Sequence, residues 1–233
     1  MKTLSPADLA AIEAAVREAE TRTTGEIYCV VAEASSTYGE TPLAWAAGIA
    51  LLAPALLLLG GVQVTISDIF SSWSAAQVGA AVEGSVRRAL VGTIVLQGVL
   101  FAAAALVVAI PAVRRALTPR GLKRDRVRRR AAEQFLGKNL HLTRERTGVL
   151  LFVSLGERMA ELIADEGIAA RVDAHVWDRA MGALTDGLKR GDPGVGFADA
   201  VRLCAEVLAR DFPPRPGDNP NELPDAVVLL PRP

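Results

Sequence analysis

The sequence has few of the residues that most often carry chemistry. Two cysteines, Cys29 and Cys204, and two histidines, His141 and His175, are present among 233 residues. The cysteines are isolated, with no C-x-x-C pair and no Cys/His cluster, so they predict reduced structural thiols in the cytosol. Each histidine lies beside apolar neighbours, and we interpret both as packed or surface side chains rather than as a base or a metal ligand.

Catalytic motifs are also missing from the sequence. There is no P-loop, no G-x-S-x-G and no H-E-x-x-H, and the glycine-containing stretch 191–196 does not follow a predicted strand. A cleavable signal is not expected either, because residues 1–22 are charged throughout. The sequence therefore favours a role other than catalysis and leaves the question of an enzymatic activity open.

Charge is absent from residues 41 to 67, and this stretch organises the rest of the chain. Its core, 43–64, is 22 residues long, so a helix would measure about 33 Å against a hydrocarbon layer of about 30 Å. A second uncharged run, 89–113, has 25 residues. Two buried helices of a soluble core would need polar faces at helical spacing, and both runs lack them. We therefore predict a transmembrane hairpin over 43–113.

The charges that flank the hairpin predict its orientation. Nine basic residues and one acid, Asp125, occupy 114–130: Arg114, Arg115, Arg120, Lys123, Arg124, Arg126, Arg128, Arg129 and Arg130. Positively charged segments stay on the cytoplasmic side, so we expect a two-pass inner-membrane protein with both termini in the cytoplasm. The outer loop would cover about 65–88, with Ile69, Phe70 and Trp73 at the outer interface between the bilayer and water. A cysteine at Ser74 should then react with outside reagents.

The nine basic residues of 114–130, called the basic segment below, also predict a partner. Each basic residue near an anionic bilayer surface contributes about 1 kcal/mol of attraction, so we expect contact with anionic lipid headgroups. Nucleic acid is the alternative for such a run. We do not expect it, because the segment has no interleaved aromatic residues and follows directly after a membrane exit.

The remaining chain has the pattern of an α/β domain. The apolar spacing predicts a helix over 6–22 that Ser5 caps, a strand over 26–34, a helix over 123–138, strands over 148–155 and 159–164, and helices over 172–190 and 197–208. We predict an α/β/α sandwich of three or four strands, formed by 1–34 and 123–210 and interrupted by the hairpin. The proline-rich tail, 211–233, contains an apolar run at 226–230 that could dock on the domain.

Three patches resemble the TPM-domain family: Thr24-Gly25-Glu26-Ile27, the stretch 147–154 followed by Glu157-Arg158, and the stretch 188–197 before a closing helix. The resemblance covers about 1–34 and 123–210. It implies an α/β/α sandwich near a membrane. Some members of the family are described as phosphatases, others as assembly or maintenance factors for membrane complexes, and some bind calcium through acidic loops.

The sequence departs from the family where a calcium site would matter. The position just before Gly148 is often acidic or asparagine in the family, but here Arg146-Thr147 precede the glycine. The glycine-rich turn of the family is reduced to Asp165-Glu166-Gly167-Ile168. Calcium takes six to eight oxygen ligands, which the candidates Asp165, Glu166 and Glu26 only begin to supply. We therefore expect no cofactor, with calcium as the alternative.

Two functions remain open. The first is a membrane-anchored module that binds, assembles or maintains a membrane protein complex. The second is a weak metal-dependent phosphatase, which would use carboxylates near one sheet edge. The acidic series from which it could draw is Glu157, Glu161, Asp165, Glu166, Asp173 and Asp178. A solvated acidic surface is the simpler interpretation of that series.

Within the hairpin, Ala44 and Gly48, or Gly98 and Ala102, are small residues at a spacing that would let two helices touch.

Overall fold

Four strands form one mixed sheet. They are β1 (Glu26–Ala32), β2 (Gly148–Ser154), β3 (Met159–Ala164) and β4 (Val228–Leu230), and their order across the sheet is β3-β2-β1-β4. β1 runs parallel to β2 and β4, whereas β3 returns antiparallel to β2. The three strands predicted before the tail are confirmed. The apolar run in the tail does dock, because part of it forms β4.

The structure is a computed structural model that describes residues 4–60, 78–215 and 221–233. The chain divides into two compact units, which are described separately. Unit 1 contains residues up to Thr37 and from Pro119 onwards, and unit 2 spans Tyr38–Thr118. The predicted loop positions Ile69, Phe70, Trp73 and Ser74 lie outside the described residues.

Eight α-helices occur in the described residues. Unit 1 has α1 (Pro6–Glu20), α5 (Arg120–Gly137), α6 (Glu166–Ala169), α7 (Asp178–Arg190) and α8 (Pro193–Asp211). Unit 2 has α2 (Glu40–Leu59), α3 (Val78–Ala109) and α4 (Pro111–Leu117). The start of α1 is the predicted one: the Asp8 backbone N–H donates to Ser5 Oγ at 3.2 Å, and the Ser5 N–H donates to Asp8 Oδ2 at 2.8 Å. This reciprocal pair is a capping box.

Three helices begin four residues or more away from their predicted starts. The helix expected from residue 172 begins at Asp178, after a 3₁₀ turn over Ala174–Trp177. The helix expected from residue 197 begins at Pro193, since proline is well suited to the first helical position. Helix α3 begins at Val78, so 78–88 is helical where we expected an outer loop. Extending an existing helix adds one hydrogen bond per residue, which favours continuation through Ala, Glu and Arg.

Apolar layers cover both faces of the sheet. On one face, Ile27, Cys29 and Val31 of β1 pack with buried residues of α1, α7 and α8. On the other face, Tyr28, Val30 and Phe152 pack against α5 through its buried stripe of Val127, Ala131 and Phe135. All residues of β1 and β2 are buried, which explains why both strands read as continuous apolar runs rather than alternating ones.

A close crossing of α7 and α8 depends on glycine. A Cβ atom on Gly187 would lie 2.5 Å from the Cα of Gly196, a backbone atom that cannot move aside alone. We expect Gly187→Ala to lower the free energy of unfolding by about 1–3 kcal/mol, because the two helices must separate. Thermal unfolding of the detergent-solubilised full chain measures the change.

The matched control for that substitution is Gly182→Ala, in the same helix. A Cβ on Gly182 meets no atom within 4 Å, so the expected result is unchanged stability or a gain of up to about 1 kcal/mol from helix propensity. Equal destabilisation by both substitutions would contradict the packing argument.

Candidate functional site

The most unusual surface of the described chain belongs to helices α2 and α3. Both contain segments long and apolar enough to cross a membrane, Glu40–Leu57 and Leu90–Ala109, as judged from length and composition. Their large apolar side chains are exposed rather than buried: Leu56 is 65% exposed, Ile94 62% and Leu106 73%. Core helices of a water-soluble protein would bury such side chains, since exposing them in water is unfavourable.

Small residues mediate the contact between α2 and α3, although not the predicted ones. Ala46 and Ala50 are the buried small residues of α2, and Ala104 is buried on α3 together with Val108. Ala44 and Ala102 are exposed, and a Cβ on Gly48 or Gly98 would meet no atom within 4 Å. In alanine-rich helices the small-residue spacing recurs on several faces, so spacing alone does not identify the face in contact.

Polar contacts join the two ends of unit 2. Thr41 Oγ1 and Thr118 Oγ1 are 3.2 Å apart, and Trp45 Nε1 donates to the Leu117 carbonyl oxygen at 3.3 Å. Thr118 Oγ1 also donates to the Arg114 carbonyl oxygen at 2.7 Å. The start of α2 and the end of α4 are therefore adjacent, as expected for a hairpin whose two ends lie at the same level.

The basic segment is divided between two helices. Arg114 and Arg115 are in the last turn of α4, and the other seven residues are on α5. Among the seven, Arg120, Arg124, Arg128 and Arg129 are exposed, and the rest are half-buried. The N-terminus of α5 has basic residues in its first turns and no side-chain cap, which is unfavourable for the helix dipole unless anions lie nearby.

The three metal candidates do not come together. Glu26 is paired with Gly148 across β1 and β2, whereas the Asp165 N–H donates to the carbonyl oxygen of Gly148 from its other side. With neighbouring strands about 4.8 Å apart, a full strand separates Glu26 from Asp165. In the described chain, no group of three His, Cys, Asp or Glu side chains is placed to hold a metal ion.

Arg146 forms ion pairs with Asp165 and Glu166, the two acidic metal candidates that follow β3. Its Nη1 lies 2.9 Å from Glu166 Oε2, and its Nε lies 3.7 Å from Asp165 Oδ2. Asp165 is buried, and its Oδ1 accepts a hydrogen bond of 2.7 Å from the Glu166 N–H at the start of α6. Arg146 thus neutralises the acidic charge at this corner of the domain.

A buried carboxylate cluster at the other side of the sheet was missed by the sequence analysis. Glu20 is only 8% exposed, and its Oε1 accepts from the Ile27 N–H at 3.3 Å. Burial, reinforced by the charge of Glu26, raises the pKa of Glu20 to about 8. The available signal was the spacing of Ile12 and Val16, since Glu20 continues the same buried stripe at the next fourth position.

The same cluster holds the C-terminal tail. Glu26 Oε2 accepts from the Leu223 N–H at 3.1 Å, and burial raises the pKa of Glu26 as well. Asp225 in the tail lies 3.2 Å from Arg17 Nε and contributes to the raised pKa of Glu20. Four carboxylates therefore surround the point where the tail crosses α1 and β1: Glu20, Glu26, Glu222 and Asp225.

A second polar cluster links the carboxyl ends of β1 and β2. The Ser35 hydroxyl donates to Ser154 Oγ at 2.8 Å, and Glu157 accepts from the Ser154 hydroxyl and from the Ser35 N–H. Ser154 is completely buried, so a substrate cannot reach its hydroxyl. The cluster fastens two strand ends and does not constitute a nucleophile with a base.

The cysteines and histidines have the environments that we predicted. Cys29 and Cys204 are free and buried, and burial raises the pKa of both thiols, that of Cys204 to about 12. Both therefore remain neutral and inert near neutral pH. His175 is exposed and His141 is half-buried.

Together these features define a class of protein: a mixed α/β domain whose sequence is interrupted by two helices that are long and apolar enough to cross a membrane. A scan against protein-family models found no match to the sequence. A search of curated proteins found no match either.

Among solved structures, the chain is similar to the NMR structure of the BA42 protein from the psychrophilic bacterium Bizionia argentinensis. The sequence identity is 18%, the TM-score is 0.54, and the match covers 98% of this chain and 96% of that one. At this identity the likeness supports the α/β fold alone.

Proposed function

We propose that this protein is a membrane-anchored, TPM-like α/β/α domain that binds, assembles or maintains a membrane protein complex. Helices α2 and α3 form a two-pass hairpin in the inner membrane, and both termini lie in the cytoplasm. The observation that carries the proposal is the exposure of large apolar side chains along both helices, exemplified by Leu51 at 67% and Leu106 at 73%. A hydrocarbon environment removes the unfavourable hydration of these side chains.

The charge distribution supports the orientation. The basic segment immediately follows the second apolar helix, as expected for a cytoplasmic exit. Its exposed arginines are suited to lipid phosphates, which would also compensate the uncapped N-terminus of α5.

The contacts of the acidic residues favour a binding module over a phosphatase. Asp165 caps α6, Glu166 pairs with Arg146, and Glu26 receives a hydrogen bond from the tail. Each of these carboxylates thus has a partner within the domain, which explains its presence without a reaction.

Chemical crosslinking in membranes, followed by affinity purification in mild detergent, tests the proposal. We expect one membrane protein to be retained in a fixed ratio to this chain. The opposite result is a chain that purifies alone and hydrolyses p-nitrophenyl phosphate with calcium, with the activity lost in Asp165→Ala. That result would establish the phosphatase alternative instead.

Replacing exposed arginines of the basic segment tests the lipid contact. In nanodiscs, we expect the wild-type chain to unfold at a higher temperature with phosphatidylglycerol than with phosphatidylcholine. The substitutions Arg120→Gln, Arg124→Gln and Arg129→Gln together should reduce that difference by about 3 kcal/mol, at about 1 kcal/mol per residue. Arg128 is retained because it lies 3.9 Å from Glu161.

The matched control replaces three exposed arginines elsewhere in unit 1, Arg22, Arg179 and Arg190, by glutamine. This variant should keep the full lipid-dependent difference. A loss of equal size in both triple variants would show that only net charge matters and would contradict a contact at the basic segment.

A further inference from the structure

Strand β3 forms one edge of the sheet, and its outer backbone groups are unpaired within the described chain. The Asp165 N–H donates to the Gly148 carbonyl oxygen, so the backbone groups of Asp165 point toward β2. Along an antiparallel strand, successive residues point their backbone groups to opposite sides. Residues two apart along β3 therefore point the same way, and the N–H and C=O groups of Ala160, Leu162 and Ala164 point away from β2. Such a row of groups is a template for another strand.

The opposite edge of the sheet is already used in this way by the chain itself. β4 adds to β1 as a parallel strand of three residues, with Val30 beside Val228. The two edges thus differ: one is covered by the tail, and the other, at β3, is available.

A cavity of about 390 Å³ lies beside the available edge. Leu162 and Ala164 of β3 form one side of it, and Val172, Trp177 and Met181 form the apolar wall opposite. Its volume is within the range typical of ligand pockets and accommodates a large apolar side chain. An extended segment along β3 could therefore make backbone hydrogen bonds and insert one side chain.

The charge around the cavity indicates the chemistry of the occupant. Among the residues that line the cavity, Glu161 and Asp178 are acidic and none is basic. Glu161 already lies 3.9 Å from Arg128, whereas Asp178 is exposed at the start of α7. A basic side chain on the α7 side would complement Asp178.

A second copy of this chain is a poorer occupant. Pairing two β3 strands about a two-fold axis would place the two Glu161 side chains opposite or diagonally adjacent on the same face, and like charges at such positions are destabilising.

We propose that the β3 edge and the adjoining cavity form a docking groove for an extended segment of another protein. That segment adds as a strand to β3, places one apolar side chain in the cavity and places a lysine or arginine beside Asp178. The inference deepens the proposed role as a binding module and rests on it. Strand addition of this kind takes affinity from main-chain hydrogen bonds and specificity from the pocket.

A fluorescein-labelled peptide, Thr-Lys-Val-Leu-Val-Lys-Thr, tests the groove on the full chain in phosphatidylcholine nanodiscs, with empty nanodiscs as the blank. We expect saturable binding that weakens at least about tenfold when both lysines are replaced by glutamate. Two N-methylated isomers, each methylated on alternate amides, separate strand addition from other contacts. One isomer should lose binding and the other should keep it. Binding that both isomers keep, or both lose, would overturn the proposal.

Variants of the protein locate the peptide. Leu162→Pro removes an N–H that points away from β2, so the β2–β3 ladder is retained while peptide binding should be lost. Asp178→Asn should weaken binding about tenfold, and Asp186→Asn on the exposed surface of the same helix should leave it unchanged. Equal affinity for all three variants and the wild type would place the peptide elsewhere. If Leu162→Pro lowers the unfolding temperature substantially, the N-methylated isomers decide the question alone.

The outcome for the groove is separable from that for the proposed function. Peptide binding needs no membrane partner, so it can succeed when affinity purification returns none. Conversely, a membrane partner that is retained equally by the wild type and by Leu162→Pro would support the module and exclude β3 as its docking site.

Discussion

Two aspartates in the middle of α3 are expected to release the chain from the membrane. Val99 is 60% exposed, and Ala103, one turn further along, is also exposed. In the proposed hairpin, both side chains lie within the membrane, where they face either lipid or the neighbouring helix. Each aspartate at the centre of a membrane helix costs about 2.5–3.5 kcal/mol, so Val99→Asp with Ala103→Asp should prevent stable insertion. Carbonate extraction of membranes, followed by immunoblotting, measures the shift to the supernatant.

The control for this double variant uses exposed apolar residues outside the helix pair. Leu136 and Leu142 are 60% and 67% exposed, so Leu136→Asp with Leu142→Asp matches it in charge and in exposure. This variant should stay in the pellet with the wild type. A wild-type chain that is itself extracted by carbonate would refute membrane insertion, and with it the proposed location.

Replacing Glu20 by glutamine is expected to stabilise the protein at alkaline pH. The pKa of Glu20 is raised from 4.5 to about 8, first by burial and then by the charge of Glu26. The folded chain therefore holds a proton that the unfolded chain releases near pH 4.5. This contribution to stability is complete below pH 4.5 and is lost as pH rises through about 8, with a total on the order of a few kcal/mol.

Thermal unfolding of the full chain in detergent between pH 5 and pH 9 measures the effect. The wild-type midpoint should fall across this range, whereas Glu20→Gln should show a shallower fall and exceed the wild type at pH 9. Glutamine retains an oxygen to accept from the Ile27 N–H, so at pH 5 the two should be similar.

The neighbouring substitution Glu18→Gln serves as the control, because Glu18 is exposed on the same helix. It should follow the wild-type curve. Parallel curves for Glu20→Gln and the wild type would mean that Glu20 does not retain its proton in the folded chain.

Loss of the Glu20 proton should also weaken the docking of the C-terminal tail. Ionised Glu20 would face Glu26 and Asp225, and the repulsion acts on the segment that Leu223 anchors. We therefore expect β4, at the edge of the sheet opposite the proposed groove, to dock less tightly as Glu20 loses its proton.

Local signals in the sequence were sufficient for most elements of the domain. Continuous apolar runs identified β1 and β2 because both are covered on two faces. Ser5 identified the start of α1, because its capping contact spans only three residues. The end of α7 at Gly191 was equally clear, since its φ of 82° is a conformation that glycine readily adopts.

The site was less predictable, because its residues meet through distant contacts. The metal candidates were grouped by their acidity, yet β2 lies between Glu26 and Asp165. Arg146 forms ion pairs with Asp165 and Glu166, the two acidic residues that follow β3. The raised pKa of Glu20 depends in part on Asp225, which lies in the tail and is far from Glu20 in sequence. Sequence spacing carries no information about such pairings.

The sequence by itself determined the two apolar runs, the basic segment after them and the alternation of helices and strands around them. Each follows from composition or from periodicity within one element. Only the tertiary structure decided which small residues join α2 to α3, which carboxylates share a buried site, and which edge of the sheet remains open. These outcomes depend on the register and order of strands, and register is set by packing among segments that are far apart in the chain.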